Sequence, residues 1–298
     1  LAVAVILNIF LDILFVHTFS MGLRGAAHAT NIAQCIAGVL CMAYLLFRFR
    51  ELVPKGQEWQ VQRRKYQEMT IFGISLGMMS CFVSIGTVIF QTAVNRLGTK
   101  IVTAHIAARR IEELTNVPML CTGMAMTTYA SQNLGAGEYD RIKKGIQQAV
   151  VIVLVQGVIF TTFCWIFRHP LIRWITSSND TYILNTAYRY LTRNTSFYFV
   201  LGPLFVLRCS LQGLEHKVIP VASSILELVL KIVSTIWIVP VLGYTGVIYT
   251  EPIIWIFMTL MLIGGYVRAL KQINEAEHIK SARNAKAENE KINVDNRL

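Results

Sequence analysis

The sequence predicts an all-α fold, a polytopic membrane helix bundle of about eight transmembrane helices. Hydrophobic residues make up 54% of the 298-residue chain and charged residues only 15%, whereas a soluble domain carries roughly 25% charged residues. Three stretches, at 69–95, 114–137 and 146–167, contain no Asp, Glu, Lys or Arg. Since roughly 20 apolar residues in a helix cross the hydrocarbon core of a bilayer, each stretch is long enough to span it. These observations exclude an ordinary soluble enzyme and a disordered chain.

Eight apolar segments are predicted as membrane helices from their length and from the polar residues between them. They lie at 1–19, 25–47, 69–95, 101–133, 146–167, 183–213, 218–240 and 246–268. Within the sixth segment, Gly202 and Pro203 predict a bend, because proline removes one backbone hydrogen bond and clashes with the preceding turn.

The segment 48–68 is a basic connector, and 271–298 is a mixed-charge tail that is either a solvated helix end or disordered. Because Leu1 lies inside an apolar run, we expect the sequence to begin within a membrane helix of a longer protein.

Basic and aromatic residues predict how the helices are oriented in the membrane. The connectors that follow the second, fourth and sixth segments carry ten basic residues: Arg48, Arg50, Lys55, Arg63, Arg64, Lys65, Arg141, Lys143, Lys144 and Lys217. The opposite connectors carry five: Arg24, Arg96, Lys100, Arg168 and Arg173. The positive-inside rule therefore predicts that 48–68 and the C-terminus are cytoplasmic, and the asymmetry explains the net charge of +11 without a nucleic-acid interface. Four tryptophans are expected in an interfacial belt: Trp165, Trp174, Trp237 and Trp255.

Ionisable side chains inside the apolar segments are the first candidates for function. A charge at the bilayer centre costs at least about 2.5–3.5 kcal/mol, so it faces a partner or water. In the fourth segment Arg109 and Glu112 share one helical face with His105 and Asn116. This face is either a self-neutralised cluster that anchors helix packing or one wall of a substrate cavity.

Three further segments carry polar groups on one face. Glu227 and Lys231 form an i,i+4 pair in the favourable orientation, either as a structural pair or as cavity lining. Gln91 and Asn95 suit hydrogen bonds between helices as well as a ligand. Glu251 stands at a predicted helix N-terminus, where it either caps the helix or faces a ligand.

Motifs of catalytic and nucleotide sites do not occur in the sequence. It contains no GxxxxGK[ST] loop and no HExxH helix, and its Ser, His and Asp residues do not form a triad pattern. The six cysteines lie in apolar stretches without Cys-x-x-Cys spacing. We therefore predict no enzymatic activity, no catalytic residue, no metal site and no cofactor.

Seven short motifs follow one another along the chain. They are NIFLDILF at 8–15, GLRGAAHAT at 22–30, AARRI at 107–111, QNLGAG at 132–137, DRI at 140–142, LQGL at 211–214 and GYTGV at 243–247. In this order and spacing the chain resembles helices five to twelve of the multidrug and toxic compound extrusion (MATE) family.

The resemblance implies an architecture of two lobes. Residues 1–47 are then the last two helices of an N-terminal lobe and 48–68 a cytoplasmic linker. Residues 69–270 are the complete six-helix C-terminal lobe of a twelve-helix transporter, and 271–298 a cytoplasmic tail. The family implies a multi-pass protein of the plasma membrane, monomeric at full length.

The resemblance also implies an activity. MATE proteins export organic, often cationic, amphipathic compounds in exchange for Na⁺ or H⁺, by alternating access between the two lobes. Well-studied branches carry acidic coupling residues on helices seven and ten, whereas this sequence has Gln91 and Asn95 in the first of these regions and arginines in the second. Six residues are therefore expected, from their helical faces, to line the substrate cavity: Gln91, Asn95, Arg109, Glu112, Glu227 and Glu251.

An alternative in the same broader superfamily is a flippase for lipid-linked oligosaccharides or other lipids. Such a protein needs a cationic cavity to hold a pyrophosphate. Four arginines support it: Arg109, Arg189, Arg193 and Arg208.

Overall fold

The computed structural model describes residues 2–53, 56, 62–176 and 180–295, and α-helices account for most of these ranges. No β-strand lies within them, so the all-α prediction is confirmed. By length and composition, five helices of the described chain can cross a membrane: Gly22–Arg48, Arg63–Asn95, Tyr139–Thr176, Val218–Leu242 and Tyr244–Glu275. Ala2–Thr18 and Tyr198–Gly213 are shorter apolar helices. The total of eight spans stays a prediction.

The helices follow the predicted segments in order. They are α1 (Ala2–Asp12, continued by a π-helical segment Ile13–Thr18), α2 (Gly22–Arg48), α3 (Arg63–Asn95), α4 (Thr99–Ala136), α5 (Tyr139–Thr176), α6 (Thr181–Thr195), α7 (Tyr198–Gly213), α8 (Val218–Val233, continued by a π-helical segment Ser234–Ile238), α9 (Val239–Leu242) and α10 (Tyr244–Asp295). The tail is therefore helical as far as Asp295. Helix α4 ends at Gly137, which has a φ of 68° and donates its N–H to the Leu134 carbonyl at 3.0 Å, a conformation that favours glycine.

The chain divides into two units, Leu1–Met69 and Thr70–Leu298. In the first unit α1 packs against α2, and Asn8 Nδ2 donates to Thr30 Oγ1 at 3.4 Å. In the second unit α4 packs against α5, α6 and α7, while α10 packs against α7 and α8. The long helix α4 is thus the central element of the second unit.

The core and the outer surface of the second unit are both apolar. Met119, Tyr198, Leu204 and Trp255 pack together where α4, α7 and α10 meet. Side chains on the outside are also aliphatic, and more than a third of their surface is exposed, as at Val151, Ile152, Val155 and Ile159 of α5. Water does not favour a continuous apolar exterior, whereas the hydrocarbon of a bilayer does.

The predicted tryptophan belt is wrong at one position. Trp165, Trp174 and Trp237 are exposed, at 48%, 78% and 70%. Trp255 is only 7% exposed because it lies on the face of α10 that packs into the core. Proximity to a helix end in the sequence does not reveal which face a side chain occupies.

The sixth predicted segment is two helices rather than one bent helix. The break lies at Ser196 and Phe197, and Pro203 lies within α7. The hydroxyls of Thr195 and Ser196 bond back to the carbonyls of Leu191 and Thr192, at 2.8 and 2.7 Å. Side-chain hydroxyls that bond to the preceding turn compete with the helical ladder, which favours an interruption here.

Asp180 begins helix α6 as its N-cap. Its carboxylate accepts a hydrogen bond from the Tyr182 backbone N–H at 2.9 Å and from Lys100 Nζ at 2.8 Å. The Lys100 hydrogen bond is the main reason that the pKa of Asp180 is lowered. The two polar groups join the starts of α4 and α6.

Close contact of α4 with α7 depends on glycine. A Cβ at Gly213 would overlap the Thr127 carbonyl oxygen, and a Cβ at Gly123 would lie 3.0 Å from the Phe205 carbonyl oxygen. Backbone atoms cannot yield to such a contact without separating the helices. The two glycines therefore set the distance between α4 and α7.

We expect Gly213→Ala to lower the free energy of unfolding by about 1–3 kcal/mol, as overpacking does in a closely packed core. The matched control is Gly264→Ala in α10, where an added Cβ meets no atom within 4 Å. Thermal unfolding of the purified protein in detergent measures both. Equal melting temperatures for the two variants would contradict this account of the α4–α7 contact.

Candidate functional site

A cavity of about 200 Å³ lies inside the second unit, between α3, α4, α7, α8 and α10. Its charged lining comes from Arg109, Arg208, Glu227, Lys231 and Glu251. Helical periodicity explains this convergence. Residues four apart share a face, as Glu227 and Lys231 do on α8, and Glu251 and Trp255 on α10.

Lys231 is the centre of the first group of polar contacts. Its ammonium donates to Glu227 Oε1 at 2.9 Å and to Thr87 Oγ1 at 3.2 Å, and lies 3.5 Å from Glu251 Oε1. Lys231 is 3% exposed, and each glutamate is 8% exposed. The ammonium has three N–H donors and finds one oxygen on each of three helices, α3, α8 and α10.

Glu112 is the centre of the second group. Its Oε2 accepts hydrogen bonds from Arg109 at 3.2 Å and from the Tyr190 hydroxyl at 3.0 Å. Glu112 is 1% exposed, and its Oε1 has no hydrogen-bond partner among the described residues. The His105 ring packs edge-on against Tyr190, with 4.9 Å between the ring centroids. The carboxylate therefore depends on groups from α4 and α6 for its stabilisation.

Two more polar groups complete the surroundings of the cavity. Arg208 on α7 donates to the Ser224 hydroxyl on α8 in a short hydrogen bond. The Thr115 and Tyr198 hydroxyls lie 2.8 Å apart, which bonds α4 to the beginning of α7. Nearly every helix of the second unit thus contributes a buried polar contact to this region.

The remaining lining of the cavity is largely apolar. It includes Leu201, Leu204, Phe205, Trp255 and Met258. A ligand in this cavity therefore meets aromatic and aliphatic surface together with carboxylates and basic groups. Small-molecule sites have this composition, mostly apolar with a few placed polar groups.

Four of the six residues expected in the cavity lie in this region. Arg109, Glu227 and Glu251 line the cavity, and Glu112 is bonded to Arg109 beside it. Gln91 and Asn95 lie elsewhere on α3, where Gln91 Nε2 donates to Asn95 Oδ1 at 2.9 Å. These two amides satisfy each other, and neither contributes to the cavity lining. That any of the six residues acts on a substrate stays a prediction.

Sequence reasoning missed Tyr190 and Trp255 as residues of this region. It paired Lys231 with Glu227, either structurally or as cavity lining, and it named Arg208 only in support of the flippase. Tyr190 had no such signal, since its contact with Glu112 joins residues 78 positions apart. Among the residues that the structure describes, no group of three or more His, Cys, Asp or Glu side chains is arranged to hold a metal ion.

The chain resembles transporters of one family in sequence. The family model MatE matches residues 76–237, more than half of the chain. The chain is 26% identical over 242 residues to probable multidrug resistance protein YpnP of Bacillus subtilis, a match that covers 80% of this chain and 51% of YpnP. It is 28% identical over 182 residues to probable multidrug resistance protein NorM of Thermotoga maritima, covering 57% and 38%. The chain spans about half the length of the first of these relatives.

The fold is similar to the solved structures of MATE transporters. A multidrug resistance MATE family transporter of the MOP superfamily, solved in an outward-facing conformation, matches with a TM-score of 0.80 at 21% sequence identity. The match covers 92% of this chain and 61% of that protein. At this identity the likeness shows a shared fold.

We expect Tyr190→Phe to lower the free energy of unfolding by about 1.5–3 kcal/mol, because it removes one of two groups bonded to a buried carboxylate. Tyr188→Phe on the same helix is the matched control, since the Tyr188 hydroxyl is buried without a hydrogen-bond partner in the described chain. Its loss should be neutral or slightly stabilising. Thermal unfolding of both variants is the measurement, and an equal loss of stability would contradict the role of the Glu112 contact.

Proposed function

The chain belongs to the MatE family, and on this premise we propose that it forms part of a secondary active transporter that exports organic compounds across a membrane. The compounds are amphipathic and often cationic, and Na⁺ or H⁺ moves in the opposite direction. Access alternates between the two sides of the plasma membrane, with the C-terminus in the cytoplasm. The relatives named as multidrug resistance proteins support an organic substrate.

One observation carries the proposal: a cavity between helices whose lining combines buried charged side chains with apolar ones. Carboxylates and basic groups inside an apolar bundle are costly, and proteins retain them where a substrate or ion is bound. Glu251 offers a counter-charge to an organic cation, and Trp255 lies one turn away on the same face of α10 to contact its apolar body. The sequence has no GxxxxGK[ST] loop, HExxH helix or Ser–His–Asp pattern, which supports a transporter rather than an enzyme.

The arrangement in two lobes is part of the same proposal. Residues 1–47 then belong to an N-terminal lobe joined by a cytoplasmic linker at 48–68 to the C-terminal lobe at 69–270. The cavity belongs to the second unit of the structure, Thr70–Leu298. We propose that the complete transporter acts as a monomer.

A flippase for lipid-linked oligosaccharides is the second candidate, because Arg109 and Arg208 line the cavity and suit a pyrophosphate. The other two arginines that supported it from sequence, Arg189 and Arg193, are exposed and lie outside the cavity lining. The three basic groups of the region also face three carboxylates, which leaves no excess of positive charge for an anionic headgroup. The antiporter is therefore the better supported function.

Glu251→Gln tests the antiporter in the full-length protein. We expect ethidium efflux from cells without other drug transporters to fall at least about tenfold, as loss of a buried charged contact worth roughly 1.5–3 kcal/mol implies. Glu113→Gln is the matched control, because this carboxylate is 54% exposed on the outer side of α4. Wild-type protein that gives no efflux of ethidium or other organic cations would contradict the proposal.

Arg208→Gln distinguishes the two candidates. We expect it to keep ethidium efflux, because a guanidinium is not needed to bind a cation. A flippase should instead lose translocation of a fluorescent lipid-linked oligosaccharide in proteoliposomes. Translocation by the wild type that disappears in this variant, without any drug efflux, would favour the flippase.

A further inference from the structure

The Lys231 ammonium occupies the place at which an added cation would meet the carboxylates. It contacts Glu227 on its own helix at 2.9 Å and Glu251 on α10 at 3.5 Å. Its third neighbour is the uncharged Thr87 hydroxyl on α3, at 3.2 Å. A cation that enters the cavity and approaches Glu251 therefore approaches Lys231 as well.

The Lys231 side chain packs against α3 on one side and lines the cavity on the other. Its Cδ lies so close to α3 that a Cβ built at Gly86 would be 3.1 Å from it. The side chain is 3% exposed and is enclosed between α3 and α10. The absence of a side chain at Gly86 is what lets α3 approach the Lys231 stem. Loss of the Lys231 charge would therefore leave Glu227 and Glu251 without the cation that contacts both of them.

Charges around the cavity are balanced. Basic groups come from Arg109 on α4, Arg208 on α7 and Lys231 on α8, and carboxylates from Glu112, Glu227 and Glu251. His105 on α4 faces Tyr190 and Tyr244 at the edge of this group. A substrate that brings one positive charge disturbs the balance unless one positive charge leaves. Neither arginine can supply it, because guanidinium groups stay protonated in proteins.

We propose that Lys231 is the proton carrier of this transporter, and that an amphipathic organic cation bound to Glu251 replaces the charge that Lys231 gives up. On binding, one N–H bond of the ammonium breaks, its electron pair stays on the nitrogen as a neutral amine, and the proton passes to water. On release of the cation, the amine takes up a proton and the original ion pairs form again. This inference rests on the proposed function and specifies its coupling ion as H⁺.

The apolar lining identifies the kind of cation. Trp255, one turn from Glu251 on α10, and Phe205 on α7 both line the cavity and suit a delocalised or aromatic cation. An organic cation with an apolar body would use both the carboxylates and this apolar lining, whereas Na⁺ would use only the oxygens.

Tetraphenylphosphonium tests the proposal, because it has one fixed charge and no titratable group. Its binding to the full-length wild-type protein in nanodiscs is measured by isothermal titration calorimetry, in two buffers of different ionisation enthalpy and at several pH values. We expect about one proton released for each ligand bound, and an affinity that rises roughly tenfold per pH unit until Lys231 is neutral.

Two variants locate the proton at Lys231. Lys231→Arg keeps the charge but cannot release a proton, so it should bind at least about tenfold more weakly and without proton release. Lys231→Met combined with Glu227→Gln keeps the charge balance and should bind the ligand without proton release at any pH. The matched control is Arg110→Met with Glu113→Gln, which neutralises an exposed ion pair of α4 and should behave as wild type.

Three results would overturn the inference: no binding of tetraphenylphosphonium to the wild type, binding without proton release, or unchanged release in Lys231→Arg. Size-exclusion chromatography establishes that each variant is folded, and Lys231→Arg serves if the double variant aggregates. Efflux is measured separately. Efflux without proton release contradicts only the role of Lys231, whereas proton release without efflux contradicts only the proposed transport.

Discussion

A single buried ammonium group joins three helices of the second unit. Lys231 connects α8 to α3 through Thr87 and to α10 through Glu251, in a bundle whose outer surface is largely apolar. Without these partners, a charge in such surroundings would cost more than the helix packing returns. The positions of α3, α8 and α10 around the cavity therefore depend on the oxygens that Lys231 holds together.

The helical architecture could be predicted from the sequence because it follows from composition and segment length. The absence of charge over 69–95 and 146–167 requires helices that satisfy their own backbone hydrogen bonds in lipid. The break at Ser196 and Phe197 could not be foreseen in the same way. The prediction rested on Gly202 and Pro203, whereas the helix ends nearly two turns earlier, where the hydroxyls of Thr195 and Ser196 bond back to the preceding turn.

Only those contacts of the candidate site that lie within a single helix could be predicted from the sequence. Glu227 with Lys231 and Arg109 with Glu112 are neighbours by helical periodicity, and both pairs occur. Contacts between helices depend on packing, so the spacing of residues in the sequence could not predict the hydrogen bond between Glu112 and Tyr190. Gln91 and Asn95 were expected in the cavity because they share a face of α3, but they lie one and two turns beyond Thr87, where the cavity lining on this helix ends.

Helix α4 also bridges the interruption between α6 and α7. Tyr190, before the break, is bonded to Glu112, and Tyr198, after it, is bonded to Thr115 one turn along α4. The two halves therefore cannot pivot independently at Ser196 and Phe197 without breaking a buried hydrogen bond. A swing of α7 about this interruption would pull on α4 through Thr115, and so transmit mechanical strain to the carboxylate that Arg109 neutralises.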